Sequence, residues 1–213
     1  MRQMFELIVK GPVGEDCISL AHVENAIAEA KEFGADLLLR IDSPGGDAFA
    51  GIAIHDLITN SGVRTVALIE GRADSAASLI ALACSRIVAR PGATIRLHDP
   101  SSSAESPTPE SRKAVKAARD RTIAIYARTA LRRDAAGLAL AKDWQIEIES
   151  LMQADTVLDA EEALERHFIH AILPVGQIDP AEEVRRALLD ESSALNSEVR
   201  ELLEVARRWE AAL

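Results

Sequence analysis

A corner between a strand and a helix lies in the first half of the sequence, at Gly71-Arg72-Ala73-Asp74-Ser75-Ala76-Ala77-Ser78-Leu79-Ile80-Ala81-Leu82-Ala83. The apolar residues 65–69 before it predict a strand, and the small residues Gly71 and Ala73 allow the backbone to turn tightly. Good helix formers follow from Ala76, so Ser75 is expected where backbone N–H groups lack intrahelical partners. Those N–H groups suit either an ordinary helix cap or a developing oxyanion.

The same alternation of strand and helix recurs around this corner. The nearly continuous apolar run at 36–42 predicts a strand that is covered on both faces. Further strands are predicted at 5–10, 86–89 and 93–98, and helices at about 20–33, 48–59 and 76–83. Repeated strand–turn–helix units of this kind predict an α/β fold with parallel strands.

The second half of the sequence predicts more helix and less sheet. Loop composition at 101–110 precedes a long helical pattern at about 111–131, which predicts a projecting helix, and a further helix is expected at 137–152. In the segment 155–163 a short strand precedes a helix start, with Asp159 as N-cap and Glu162 as its capping-box partner. We therefore expect a main domain at 1–176 and a C-terminal helical extension at 177–213.

Composition excludes several classes of function. The formal net charge of -10 disfavours nucleic acid or an anionic membrane as the main partner. Cys17 and Cys84 are far apart and outside any CxxC pattern, so neither a disulfide framework nor a zinc site is expected. The sequence has no uninterrupted apolar run of about 18 residues and no cleavage signal near its start, so we expect a cytoplasmic protein.

Three residues that could perform nucleophilic catalysis lie at the ends of predicted elements: Ser75, His98 and Asp155. An imidazole can take the serine proton during attack on a carbonyl, and a carboxylate can orient that imidazole. Backbone N–H groups of Gly46 and Ala76 would then bind the oxyanion. His98 ends a predicted strand soon after the serine corner, whereas the other histidines lie within or near predicted helices: His22, His55, His167 and His170. Spacing alone does not decide whether Ser75 is a catalytic nucleophile or only the N-cap of the helix.

Four motifs in chain order carry a resemblance to a known family. They are Ile41-Asp42-Ser43-Pro44-Gly45-Gly46-Asp47-Ala48-Phe49-Ala50-Gly51, Gly71-Arg72-Ala73-Asp74-Ser75, Ile95-Arg96-Leu97-His98-Asp99-Pro100 and the segment from Asp155 to Ala163. Together they resemble the ClpP-type serine peptidases, the proteolytic subunits of caseinolytic protease. The spacing between Ser75 and His98 is most similar to the phage or prophage type that is associated with head maturation.

The resemblance implies a ClpP/crotonase fold of repeated ββα units and a triad of Ser75, His98 and Asp155. It implies an oxyanion hole formed by the backbone of Gly46 and Ala76, and cleavage of peptides or unfolded proteins without a metal or cofactor and without ATP hydrolysis by the chain itself. It further implies a homo-oligomeric ring, with two rings stacked through the helix at 111–131. An AAA+ ATPase or phage capsid proteins would be the partners.

The sequence departs from the family pattern at Asp74, where a small residue usually precedes the nucleophile. We expect a carboxylate there to disturb the oxyanion site by like-charge repulsion. Two alternatives therefore stand beside the peptidase: an inactive structural subunit of the same fold, and a crotonase-like acyl-CoA enzyme, which also uses two backbone N–H groups for an oxyanion.

Overall fold

A mixed sheet forms the centre of the computed structural model, which describes residues 3–14, 17–101, 108–128, 141–174 and 180–188. In this part of the chain the strands are β1 (Met4–Lys10), β2 (Asp36–Ser43), β3 (Thr65–Asp74), β4 (Arg86–Ala89), β5 (Thr94–Leu97), β6 (Thr156–Asp159) and β7 (Ala171–Ile172). The strand order is β1-β2-β3-β4-β7, and all of these neighbours are parallel. The predicted α/β fold with parallel strands is thereby confirmed.

Strand β3 does not end at Ile69, as its apolar run predicted, but continues to Asp74. Its register against β2 shifts between the pairs Ile41↔Ile69 and Ser43↔Ala73, so β3 bulges at the position of Gly71. A Cβ on Gly71 would lie 2.6 Å from Asp42 Oδ1, which explains why glycine stands in the bulge. Before the bulge β3 pairs with β4, and after it β3 pairs with β5.

One pairing departs from the parallel pattern that the sequence predicted. Strands β5 and β6 pair antiparallel, with Thr94 opposite Asp159 and Leu97 opposite Thr156. The described part of the connection between them contains two helices, and nothing in the local sequence of either strand specifies the direction of its partner. This ladder brings the segment around Asp155 back to the strand that carries His98 at its end.

Six helices flank the strands in the described residues before position 175. They are α1 (Leu20–Glu32), α2 (Ala48–Asn60), α3 (Ala76–Leu82), α4 (Pro109–Ala127), α5 (Ala141–Gln153) and α6 (Ala160–Glu165). Asp159 and Glu162 form the expected capping box at the start of α6. Helix α4 begins at Pro109, with Thr108 as its cap, two residues before the predicted start; the predicted residues 129–131 lie outside the described ranges.

The chain divides into two compact units, Met1–Val175 and Gly176–Leu213. The first unit contains the sheet and α1 to α6; in the second, residues 180–188 are helical. Most of the predicted C-terminal extension, and most of the predicted loop at 101–110, lie outside the described residues, so both stay predictions. No helix among the described residues is long and apolar enough to cross a membrane.

Aliphatic side chains fill the core between the sheet and the helices, as the low aromatic content of 3% requires. Strands β2 and β3 are buried along most of their length, and every residue of α3 is buried. Helices α2 and α3 cross closely at Gly51, where a Cβ would lie 2.8 Å from the Cβ of Ala76. A small residue at Gly51 therefore allows α2 to approach the start of α3.

We expect Gly51→Ala to lower the free energy of unfolding by about 1–3 kcal/mol, because the added methyl group overpacks this crossing. Urea unfolding followed by circular dichroism measures the change. The double variant Gly51→Ala/Ala76→Gly removes the opposing methyl group and should regain part of the loss. An unchanged midpoint for the single variant would contradict the close crossing.

Candidate active site

Ser75 lies at the junction of β3 and α3 with an unusual backbone conformation. Its φ is 51° and its ψ is -118°, a combination that costs an L-residue free energy and is held by the surrounding structure. The Ser75 N–H donates to the carbonyl of Arg96 at 2.9 Å, which ties the corner to β5. The Ser75 hydroxyl makes no capping hydrogen bond to α3, so the structure gives no support to a simple cap.

His98 follows β5 directly and is half-buried. Its Nδ1 lies 2.9 Å from the carbonyl oxygen of Asp99. Because a carbonyl oxygen accepts but does not donate, this contact places the proton on Nδ1 and leaves Nε2 as the basic nitrogen. The Asp99 carboxylate in turn accepts from Arg119 Nε of α4 at 2.8 Å, which holds the segment after His98 against that helix.

Ser75 and His98 line the same open cleft, which has a volume of about 380 Å³. Gly46 lines it beside them, and Phe49 and Val115 contribute apolar surface from α2 and α4. The Phe49 side chain is exposed, as a substrate-facing residue would be. In the described part of the chain the Ser75 and His98 side chains share this cleft without a direct hydrogen bond to each other.

The glycine pair lies against the serine corner. A Cβ on Gly45, whose φ is 79°, would lie 2.3 Å from the Asp74 carbonyl oxygen and 3.2 Å from the Ala76 nitrogen. Gly46 faces Val13 in a parallel bridge, in which Val13 N–H donates to Gly45 and Asp47 N–H donates to Val13. This pattern turns the N–H of Gly46 away from Val13.

Two backbone N–H groups are therefore available beside Ser75. Ala76 is the first residue of α3, so its N–H has no intrahelical acceptor. Among the described residues neither this N–H nor that of Gly46 has a hydrogen-bond acceptor. Donors of this kind stabilise the negative charge that develops on a carbonyl oxygen during nucleophilic attack.

The Ser43 side chain holds Gly45, the first residue of the glycine pair, in place. Its hydroxyl donates to the Gly11 carbonyl at 2.6 Å and accepts from the Gly45 N–H at 3.2 Å. The side chain is fully buried. The sequence identified Ser43 as part of the motif but gave it no role, because the contact with Gly11 depends on the pairing of β1 with β2.

Asp155 lies near His98 through the register of the β5–β6 ladder. The ladder ends with Leu97 paired to Thr156, and His98 and Asp155 are the residues directly beyond this last pair. The Asp155 carboxylate is nevertheless bound by Arg96, with Nε to Oδ1 at 2.8 Å and Nη2 to Oδ2 at 2.5 Å. These hydrogen bonds lower the pKa of Asp155, and they mean that the structure does not show the predicted hydrogen bond to His98.

Asp74 is buried beside this group of charges. Burial raises the pKa of its carboxyl group, and the positive charges of Arg72 and Arg96 offset part of that increase. Its carboxylate lies 3.7 Å from Arg72 Nη1. The nearby arginines therefore offset only part of the effect of burial on the carboxylate that precedes Ser75.

The structure brings together Ser75, His98, Gly46 and Ala76, and it places Asp155 next to them with its carboxylate on Arg96. Arg96 was missed by the sequence analysis, although it alternates with His98 along the strand and therefore shares its face. Within the described ranges no three His, Cys, Asp or Glu side chains are grouped as a metal site requires.

The family model described as Clp protease matches residues 2–175. The ATP-dependent Clp protease proteolytic subunit of Ligilactobacillus salivarius (strain UCC118) is 31% identical over 108 residues, which cover 49% of this chain and 54% of that protein. The chain thus spans about half the length of this curated relative.

Two solved structures share the fold. A mutant of ClpP1 from Listeria monocytogenes has a TM-score of 0.60 at 19% identity, covering 80% of this chain and 91% of that one. A mutant of the 1510-N membrane-bound stomatin-specific protease has a TM-score of 0.60 at 20% identity, covering 80% of this chain and 79% of that one.

We expect Ser43→Ala to lower the free energy of unfolding by about 1–3 kcal/mol, since it leaves the Gly11 carbonyl and the Gly45 N–H without their partner. Ser61→Ala is the matched control, because the Ser61 hydroxyl accepts only from the N–H two residues later, at 3.1 Å. Urea unfolding of both variants measures the difference. Equal losses would contradict a special role for Ser43.

We expect Asp74→Asn to raise the melting temperature at pH 7, with a gain that shrinks as the pH falls towards 4. The pKa of Asp74 is raised in the folded state, so its charged form destabilises the fold once the pH exceeds that pKa. At Asp56, hydrogen bonds from His55 and Arg121 outweigh burial and lower the pKa, so Asp56→Asn should lose stability at pH 7 instead. Differential scanning calorimetry across this range compares the two; parallel pH curves for wild type and Asp74→Asn would contradict the shift.

Proposed function

The chain belongs to the Clp protease family, and we propose that it is a serine endopeptidase with Ser75 as its nucleophile. The observation that carries the proposal is the shared cleft, in which a serine on a strained corner lies with a histidine whose Nε2 is free to accept a proton. A corner of this kind exposes the hydroxyl to substrate while the following helix start supplies an N–H group.

In the proposed reaction, His98 Nε2 removes the Ser75 proton as the Oγ attacks the carbonyl carbon of the peptide bond. The oxyanion binds the N–H groups of Gly46 and Ala76, and loss of one such donor typically costs about 10²–10³ in turnover. His98 then gives the proton to the leaving amine, and an acyl-enzyme on Ser75 remains. Water, activated by the same imidazole, hydrolyses the acyl-enzyme.

We assign Asp155 to the orientation of His98, which requires its carboxylate to exchange Arg96 for the imidazole. The ladder register supports this assignment, since His98 follows Leu97 and Asp155 precedes Thr156, the last two paired residues. Both members of the Arg96–Asp155 pair are about half exposed, so solvent screens their attraction and the exchange meets little resistance. In the present arrangement the Asp99 carbonyl performs part of the orienting role.

An inactive structural subunit is the second candidate, and two observations favour it. The Asp155 carboxylate is bound by Arg96, and the buried Asp74 carboxyl immediately precedes the nucleophile. The crotonase-like acyl-CoA alternative rests on the shared fold alone.

We further propose that the substrates are peptides or unfolded proteins and that the protein acts as a homo-oligomeric ring in the cytoplasm. Ring stacking through the helix at 111–131, an AAA+ ATPase partner and a phage or prophage role in capsid maturation follow from the resemblance of the motifs. The match covers 54% of the length of the curated relative. It supports the proposed peptidase activity more directly than it supports these partners.

We expect a fluorophosphonate probe to form a covalent adduct on Ser75, which mass spectrometry of tryptic peptides locates. Ser75→Ala should abolish the adduct. Ser101→Ala is the matched control, because Ser101 is an exposed serine that lines the same cleft, and this variant should be labelled like the wild type.

Hydrolysis of a fluorogenic peptide by the same variants separates the two candidates. Peptide cleavage that is lost with Ser75→Ala and with His98→Ala supports the peptidase. An unlabelled wild type that cleaves no peptide, together with a large gain of cleavage in Asp74→Ala, would instead identify a subunit that Asp74 has silenced.

A further inference from the structure

The carbonyl group of Ser75 and the N–H group of Ala76 belong to one peptide unit. A peptide unit is planar, and in its trans form these two groups point in opposite directions. The Ser75 carbonyl points into α3, where it accepts from the N–H groups of Ser78 and Leu79 at 2.9 and 3.4 Å. Whatever fixes this carbonyl therefore also fixes the direction of the Ala76 N–H, which points back towards the cleft.

Two side chains hold the same carbonyl. The Ser78 hydroxyl donates to the Ser75 oxygen at 2.6 Å, and the Ser78 Oγ lies 2.7 Å from the Tyr126 hydroxyl of α4. Since the single Ser78 proton is used on the carbonyl, the Tyr126 hydroxyl must be the donor in the second hydrogen bond. The order of donation is thus Tyr126 to Ser78 to the carbonyl of Ser75.

The two hydroxyl groups form a dry network. Ser78 and Tyr126 are each 1% exposed, and burial raises the pKa of Tyr126 to about 12, so its proton stays in place at any working pH. Hydrogen bonds in series polarise one another in a medium of low dielectric. Donation to the Ser75 oxygen draws electrons from the amide and makes the Ala76 N–H a stronger donor.

The network helps to hold Ser75 in an unfavourable backbone conformation. The Ser75 backbone lies in the left-handed region of φ, which a serine leaves readily unless other contacts hold it. Helix α4 supplies one such contact through Tyr126, and the same helix lines the cleft through Val115 and Ala118. The position of α4 is therefore coupled to the geometry of the serine corner.

We infer that Tyr126 and Ser78 are positioning residues of the oxyanion hole, which aim and strengthen the Ala76 N–H by holding the carbonyl of the Ser75–Ala76 peptide unit. The inference rests on the proposed function, since it assigns a role within that same site. A buried tyrosine of α4, which lies outside the four sequence motifs, thereby helps to orient a donor of the oxyanion hole.

Three variants test the inference: Tyr126→Phe, Ser78→Ala and the double variant. We expect Ser78→Ala to slow the covalent step of fluorophosphonate labelling at Ser75 about tenfold and Tyr126→Phe severalfold, with unchanged initial binding of the probe; deletion of a whole donor costs more, about 10²–10³. For hydrolysis of a fluorogenic peptide we likewise expect a lower kcat and an unchanged KM.

The double variant separates positioning from stability. Ser78→Ala alone breaks the buried hydrogen bond between Ser78 and Tyr126 and should lower the melting temperature, whereas the double variant removes both groups and should regain most of it. A positioning role keeps labelling slow in the double variant despite the recovered melting temperature. Labelling that recovers together with the melting temperature would overturn the inference.

Ser85→Ala is the matched control, because the Ser85 hydroxyl also donates to a backbone carbonyl at 2.6 Å, that of Thr65, after the far end of α3. It should label at the wild-type rate. A wild type that is labelled at Ser75, with Tyr126→Phe and Ser78→Ala equal to this control, overturns the inference alone. A wild type without label at Ser75 overturns the proposed function and the inference with it.

Discussion

The change of partner along β3 is the constraint on which the rest of the site depends. Before the bulge at Gly71 the strand pairs with β4, and after it the strand pairs with β5. The second pairing ends in the hydrogen bond from the Ser75 N–H to the Arg96 carbonyl, two residues before His98. Adjacent strands lie about 4.8 Å apart, so this pairing delivers the serine and the histidine to neighbouring positions.

Side chains of Ser75 and His98 perform the proposed bond making and proton transfer, and backbone N–H groups of Gly46 and Ala76 form the proposed oxyanion hole. Ser43 holds the Gly45 N–H from one side of the corner, and Ser78 holds the Ser75 carbonyl from the other. Ser78 acts on the peptide unit that contains the Ala76 N–H, and Ser43 acts on the peptide unit before the one that contains the Gly46 N–H. The buried side chains of the site thus position atoms that every residue possesses, and this explains why glycine and small residues dominate its sequence.

Charged side chains from β3, from β5 and from the residue before β6 lie around the site. Arg96 binds Asp155 and attracts Asp74, and Arg72 also lies near Asp74. Helix α4 adds Arg119, which binds Asp99 next to His98, and it contributes Tyr126 to the serine corner. One helix therefore contacts Asp99, next to the proposed base, and Ser78, near the proposed nucleophile, so its placement affects both parts of the site.

The sequence by itself determined the alternation of strands and helices, the capping box at Asp159, and the placement of Ser75 and His98 at element ends, because these follow from local periodicity and turn chemistry. Tertiary structure decided the rest. The antiparallel direction of β6, the ion pair of Asp155 with Arg96 and the contact of Tyr126 with Ser78 join residues far apart in the chain. Strand direction and side-chain partners at such separations are fixed by packing, which no local pattern of residues encodes.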